Sequence, residues 1–276
     1  MYPVLFRIPE FKIGSFEIDG FDVRSYGILL VLGLLFAMWL GRRRAQKWGI
    51  EPDAIVDAAF WGILPGIIGA RITYIVLNWG YYTAHTDELL SFRFAGLTSF
   101  GGVIFSLVGL MIFARRAKLD VLAFFDVLAV PLLFAHSIGR IGCLLNGCCY
   151  GGPTDAWYGV HVENVVGLHQ PAQIFDSVMV LVGAAFIVLY ERKARPVGQS
   201  FGFTFIVWGV ARFMYEFFRA GTHDEYLAGT ASSQYLGDMP FTLAQVAAVL
   251  MVGLGIAMMY RFASLAASRA KEEPQG

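Results

Sequence analysis

The sequence predicts an all-α polytopic membrane protein of about seven transmembrane helices, with the N-terminus outside and the C-terminus cytoplasmic. Three observations carry that expectation. Of 276 residues, 57% are hydrophobic and only 15% are charged, whereas a soluble domain carries about a quarter charged residues. Mean hydropathy is +0.60. The apolar residues gather in runs of about 20, the length that spans a bilayer core with its backbone bonded internally, and lack the alternation of a transmembrane barrel strand.

In order, the spans are expected at 25–41, 55–77, 99–114, 121–139, 171–190, 199–218 and 241–261, in one transmembrane domain over 1–276 without internal repeats. Residues 1–22 lack a basic stretch followed by an apolar one, so they do not read as a cleaved signal peptide. Their prolines and alternating aromatics suit a segment lying in the outer interface. Residues 140–170 form an extracytoplasmic loop region and 262–276 a cytoplasmic tail.

Orientation follows from the cations, which gather on cytoplasmic connections. Arg42, Arg43, Arg44 and Lys47 follow the first span, Arg115, Arg116 and Lys118 the third, Arg192, Lys193 and Arg195 the fifth, and Arg261, Arg269 and Lys271 the last. The opposite connections hold fewer: Arg7, Lys12, Arg24, Arg93, Arg140 and Arg219. Lys+Arg and Asp+Glu both total 21, which leaves no charge excess to attract nucleic acid.

A charge at membrane depth is costly and faces a cavity or a partner. At about 1.5 Å per residue, Arg71 lies ~24 Å, Arg140 ~28 Å and Arg212 ~20 Å above the cytoplasmic end of its span, with Arg219 at the outer rim. Gly101, Gly102, Gln173 and Asp176 begin inward-running spans at the same level. Four arginines from three helices therefore reach the level of outer-leaflet phosphates. Arg212, Glu216 and Arg219 recur at i, i+4 and i+7 on one face. Glu216 reads equally as a structural partner that neutralises one arginine, Arg71 and Arg219 as interfacial snorkellers, and His136, one turn before Arg140, as a hydrogen-bonded interior residue. Asp57 and Asp126 suit helix-end or packing roles.

After the fourth span comes Gly139-Arg140-Ile141-Gly142-Cys143-Leu144-Leu145-Asn146-Gly147-Cys148-Cys149-Tyr150-Gly151-Gly152. Glycines beside an arginine and an asparagine suit an anion-holding loop. The three cysteines admit a metal site with His161 or His169 as fourth ligand, a Cys143–Cys148 disulfide, or simple filling of tight space. The spacing C-x4-C-C matches no common zinc pattern, so no metal is expected and no cofactor is required.

This loop resembles the signature of bacterial prolipoprotein diacylglyceryl transferases, G-R-x-G-N-F-x-N-x-E-x-x-G. Gly139, Arg140, Gly142, Asn146 and Gly151 match in order, while Cys143, Leu144 and Cys148 stand at the first asparagine, the phenylalanine and the glutamate. Val23–Gly27 resembles the family's "irwYG", Gly69–Tyr74 its "GaRlgY", Gly96–Gly102 its "GGmsfHGG", Pro171–Asp176 its "hPsQlYE" and Arg212–Arg219 its "RFivEffR". Phe100 replaces the histidine before the paired glycines, and Trp208 the tyrosine four residues before the RFxxE arginine.

The resemblance implies transfer of diacylglyceryl from phosphatidylglycerol to the lipobox cysteine of a prolipoprotein in the bacterial inner membrane, with glycerol phosphate released. The partners are then that phospholipid, prolipoprotein signal peptides and membrane lipid. Arg140 and Arg212 would hold the phosphate, and Arg71 and Arg219 would guide lipid or product. Asn146, Gln173, Tyr26, Gly101, Gly102 and Glu216 would shape the substrate site, and His136 would be the base. Two other classes compete. A transporter or receptor for an anionic solute would often show inverted repeats with broken helices in both halves, and no such pairing is found, although Pro65–Gly66 is one break; a redox protein would carry a C-x-x-C motif, which this sequence lacks.

Overall fold

The computed structural model describes residues 3–9, 11–13, 16–18, 20–86, 98–163, 165–219 and 241–272. Arg93, Gly96 and Leu97, singled out above, lie outside them, as do parts of the 1–22 segment and residues 273–276 of the tail. Eight helices are described: α1 (Ser25–Lys47), α2 (Ala54–Leu77), α3 (Trp79–Ala84), α4 (Ser99–Arg116), α5 (Val121–Leu145), α6 (Ala172–Tyr190), α7 (Gln199–Arg219) and α8 (Leu243–Glu272). Among the described residues, six helices (α1, α2, α5, α6, α7 and α8) are long and apolar enough to cross a membrane. The α4 helix has 18 residues, near the short end of what can cross.

Local chemistry sets several boundaries. Asp120 caps α5 by accepting from the amides of Leu122 and Ala123 at 2.9 and 3.0 Å. Thr242 and Gln245 form a reciprocal capping box at the start of α8, with the Thr242 amide donating to the Gln245 side chain at 3.0 Å and the Gln245 amide donating to the Thr242 hydroxyl at 3.2 Å. Asp57 lies in the first turn of α2, where a carboxylate suits the positive helix end. The first span runs on to Lys47, with Arg44 and Lys47 in its last turn, where cations suit the exposed carbonyls. The fourth span runs on to Leu145 and stops before Gly147, which takes φ +72°. Arg140, Gly142 and Cys143 thus belong to a helix, and the signature loop begins only after Leu145.

The helical reading needs one addition, since short antiparallel strands flank the helices. In the N-terminal segment β1 (Val4–Ile8) pairs with β4 (Phe21–Arg24), and β2 (Phe11–Ile13) with β3 (Phe16–Ile18). Further on, β5 (Val160–His161) pairs with β6 (Leu168–His169).

The chain divides into two compact units, Leu40–Val127 and the remainder, with the boundaries falling inside α1 and α5. In Leu40–Val127, α2 and α4 meet along small residues. Gly62, Gly66, Gly69 and Ala70 of α2 are buried, and Ser106 of α4 donates to the Gly62 carbonyl at 2.8 Å. Pro65 lies inside α2 and has no amide for the Trp61 carbonyl. A β-carbon on Gly109 would press on that carbonyl and lie 2.8 Å from Pro65 Cγ. Arg44 donates to the carbonyls of Val127 and Asp126, both at 2.9 Å, and Asp126 is fully buried.

In the other unit, α5 is the interior helix, with 61% of its apolar window buried against 17% for α8. Ser137 of α5 and Ser177 of α6 share a hydrogen bond of 2.5 Å. Gly183 lets α6 close on Val207 of α7, and Gly202 and Gly255 bring α7 and α8 together, a β-carbon on Gly255 lying 2.6 Å from the Gly202 carbonyl. Small residues serve membrane helices in this way because lipid gives no hydrophobic drive to associate, and close backbone approach supplies the contact energy.

These seams make a testable prediction. Gly109→Val should destabilise the protein by about 1–3 kcal/mol through overpacking, lowering the thermal unfolding midpoint in detergent by several degrees. Gly80→Ala, where a β-carbon meets nothing within 4 Å, should leave the midpoint unchanged. Equal midpoints for both variants would contradict the tight α2–α4 seam.

Candidate functional site

The charged residues of α5, α6 and α7 converge on one aromatic ring. The Arg140 guanidinium of α5 lies 4.3 Å from the centroid of Tyr215 in α7, and the Arg212 guanidinium lies 5.1 Å from the same ring. Each arginine also holds a carboxylate. Arg140 Nε is 2.6 Å from Asp176 Oδ2, and Arg212 Nη2 is 2.7 Å from Glu216 Oε2. His136 Nε2 lies 2.9 Å from the same Asp176 oxygen, so one carboxylate joins the histidine and arginine that follow one another by a helical turn. With Nε2–H donating to Asp176, the imidazole carries its lone pair on Nδ1.

A guanidinium has five N–H donors, so one carboxylate contact does not exhaust either arginine. Glu216 is 1% exposed on its side chain, while Arg212 keeps 33%, which leaves the cation as the reachable member of that pair. Arg219 acts electrostatically on both Tyr215 and Cys149. Arg212 is thus the reachable cation of a charged cluster whose spare N–H donors suit an anion.

The signature loop is held against this cluster by its backbone. Tyr215 donates its hydroxyl to the Cys149 carbonyl at 2.9 Å, and Gln173 donates its side-chain amide to the Cys148 carbonyl at 2.7 Å. The Gly151 and Gly152 amides donate to the carbonyls of Gln170 and Phe218, each at 2.8 Å. A β-carbon on Gly151 would lie 2.9 Å from Gln170 Cβ and press on the Phe218 carbonyl, so close backbone approach requires glycine there. Gln173 is fully buried, and its Oε1 has no hydrogen-bond partner among the described residues.

The sequence-based candidates fall into two sets. Arg140, Arg212, His136, Glu216, Gln173, Asn146, Tyr26 and Arg219 all lie in the unit that holds α5, α6 and α7. Tyr26 sits beside Gly142, where a β-carbon would lie 3.2 Å from its ring, and it feels the charges of Arg140 and the three cysteines. Asn146 follows the end of α5, its amide donating to the Gly142 carbonyl at 3.0 Å. Gln173 anchors the loop, and Glu216 takes the ion-pair role foreseen as its bland reading.

Arg71, Gly101 and Gly102 lie in Leu40–Val127. Arg71 stacks over Tyr82 at 5.5 Å. A β-carbon on Gly101 would lie 2.7 Å from the Gly69 carbonyl, and one on Gly102 would lie 3.4 Å from the Gly66 carbonyl. These two glycines thus have a packing reason in the α2–α4 seam.

Two central residues were not among the candidates. Asp176 was noted only as a polar residue near the start of its span, although it ends the segment Pro171–Asp176. Tyr215 lies between Arg212 and Glu216, inside the run Arg212–Arg219, where the sequence alone assigns it no role. A tyrosine directly before a buried glutamate on a two-arginine helix was the available signal.

The family model described as prolipoprotein diacylglyceryl transferase matches residues 14–261. A protein of Clostridium tetani named phosphatidylglycerol–prolipoprotein diacylglyceryl transferase is 33% identical over 210 residues, covering 74% of this chain and 84% of its own. Proteins of the same name from Staphylococcus carnosus and Dehalococcoides mccartyi are 28% identical over 256 residues and 31% identical over 244. They cover 89% and 83% of this chain, and 88% and 90% of their own. Matched along nearly all of its length, the chain belongs to the prolipoprotein diacylglyceryl transferase family.

Proposed function

We propose that this protein transfers the diacylglyceryl group of phosphatidylglycerol to the lipobox cysteine thiol in prolipoprotein signal peptides, at the extracytoplasmic side of the inner membrane. The observation that carries this reading is the meeting of Arg140 and Arg212, from different helices, over the Tyr215 ring. Attack of sulfur on the glyceryl carbon forms the C–S bond and breaks the C–O bond to phosphate, so negative charge grows on the departing glycerol phosphate. Preorganised guanidiniums stabilise that charge and fix its direction. Asp176 and Glu216 aim the two forks.

The thiol must lose its proton to react. His136, oriented through Nε2 by Asp176, accepts that proton on Nδ1 in this reading. An apolar groove of about 340 Å³ between α6 and α7, lined by Val178, Val182, Phe186, Phe203, Val207 and Val210, begins within a turn of both Asp176 and Arg212. It suits an acyl chain whose headgroup reaches the arginines. Tyr26, Asn146 and Arg219 flank the headgroup, and Arg71 guides lipid or product.

The crossing number follows the same reading, with α4 as a seventh span, the N-terminus outside and the basic C-terminal end of α8 in the cytoplasm. A reporter that folds only in the cytoplasm, fused after Ser268, should be active, and an inactive fusion would reverse the orientation.

With labelled phosphatidylglycerol and a lipobox peptide, the wild-type protein should label the peptide. Arg140→Ala and Arg212→Ala should each lower kcat by at least about 10²–10³, as loss of a charge-stabilising donor does. Lysine at either position should restore little, because a point charge does not reproduce the fork. Labelling at the wild-type rate in both alanine variants would refute the phosphate assignment. His136→Gln should cost at least about 10² in rate. Full activity in that variant would instead assign thiol activation to the arginine field alone.

A further inference from the structure

The cysteine cluster is not used by the transfer chemistry. The Sγ atoms of Cys143, Cys148 and Cys149 all lie within 4.8 Å of one another, and none of the three is in a disulfide. The spacing C-x4-C-C gave no reason to expect this, because zinc patterns are counted along the chain while the ligands meet in space. Three local devices bring the sulfurs together. Cys143 sits in the last turn of α5. The Cys148 amide returns to the Cys143 carbonyl at 3.1 Å. Gly147 and Cys149 both take positive φ, at 72° and 63°, which folds the loop back on the helix end. The carbonyls of Cys148 and Cys149 are then pinned by Gln173 and Tyr215.

The geometry points to a binding site for one thiophilic d10 metal cation held by the thiolates of Cys143, Cys148 and Cys149. A zinc–sulfur bond of about 2.3 Å places the sulfurs of a trigonal set about 4.0 Å apart, so closure asks for displacements below an ångström. No fourth His, Cys, Asp or Glu joins the group among the described residues. His169 turns its ring nitrogens to the carbonyls of Gly151 and Val166, at 3.1 and 3.4 Å, which leaves the cation a three-sulfur set with an open position.

The surroundings favour the loaded state. Three thiolates and a divalent cation carry one negative charge, and Arg140 and Arg219 both act on Cys149 to stabilise it. Loading forms three metal–sulfur bonds and releases the thiol protons to solvent; no electron is transferred.

The test uses the full chain in detergent, reduced with a phosphine, desalted and titrated with Cd²⁺ alone. Thiolate-to-metal absorption should saturate at one Cd²⁺ per chain, and all three thiols should then resist alkylation. Cys148→Ser and Cys149→Ser should weaken binding by more than about 100-fold, beyond what a supporting contact costs. Far-ultraviolet circular dichroism should show unchanged helix content in both variants. Absence of the absorption band at stoichiometric Cd²⁺, or serine variants that bind as the wild type does, would overturn the proposal. Neither readout depends on transfer activity, so failure here leaves the transferase reading standing, and the converse also holds.

Discussion

The constraint on which the site depends is the approach of two guanidinium groups to one ring in a water-poor setting. Like charges repel, and low dielectric magnifies that repulsion. The Tyr215 ring offers its negative face to both Arg140 and Arg212, worth about 0.5–2 kcal/mol for each cation. Asp176 and Glu216 supply the larger compensation through contacts of 2.6 and 2.7 Å. Without the carboxylates the arginines would separate or draw in water. In the proposed reading, the N–H donors that the carboxylates leave over are what a phosphate would take.

Tyr215 links that electrostatic arrangement to the signature loop. Its ring takes the two cations and its hydroxyl holds the Cys149 carbonyl, so the loop cannot shift without disturbing the arginines. Gln173 does the same from α6, and the Gly151 and Gly152 amides bind the segment to the Gln170 and Phe218 carbonyls. Loop conformation and charge placement therefore form one cooperative unit, in which pairwise contributions do not add. The glycines are present because backbone must meet backbone there, a reason separate from any contact with lipid.

Much of the fold was legible because bilayer physics writes it in long apolar runs, which 25–41, 121–139 and 171–190 display plainly, whereas 55–77 is interrupted by Pro65–Gly66 and 99–114 is short. The convergence of Arg140 and Arg212 was legible because depth follows from helical rise once the spans are placed. Helix ends were less so. Nothing in Gly139-Arg140-Ile141-Gly142 marks it as helical, and only the continuing hydrogen bonds of α5 keep it so. Asp176 escaped because its meaning lies in two residues 40 and 36 positions earlier, His136 and Arg140, and spacing carries no signal across two helices. The cysteine cluster escaped for a related reason, since the turn at Gly147 and Cys149 decides whether the sulfurs meet. Gln173 was a candidate for positioning a headgroup; its hydrogen bond to the Cys148 carbonyl was not legible, because the loop's return to α6 leaves no mark in the sequence.

The departures from the family pattern can be weighed on the same physical grounds. Phe100 removes an imidazole and Cys148 removes a carboxylate, the two group types that move protons near neutrality. The chain nevertheless retains one of each in contact, His136 and Asp176, at 2.9 Å and beside the Arg140 fork. A carboxylate bonded to Nε2 orients the ring and leaves Nδ1 as its free nitrogen. In the proposed mechanism the substrate thiol, whose own pKa of about 8.5 falls as it nears the arginines, asks little of its proton acceptor, and His136, held by Asp176 beside Arg140, is the group placed to serve.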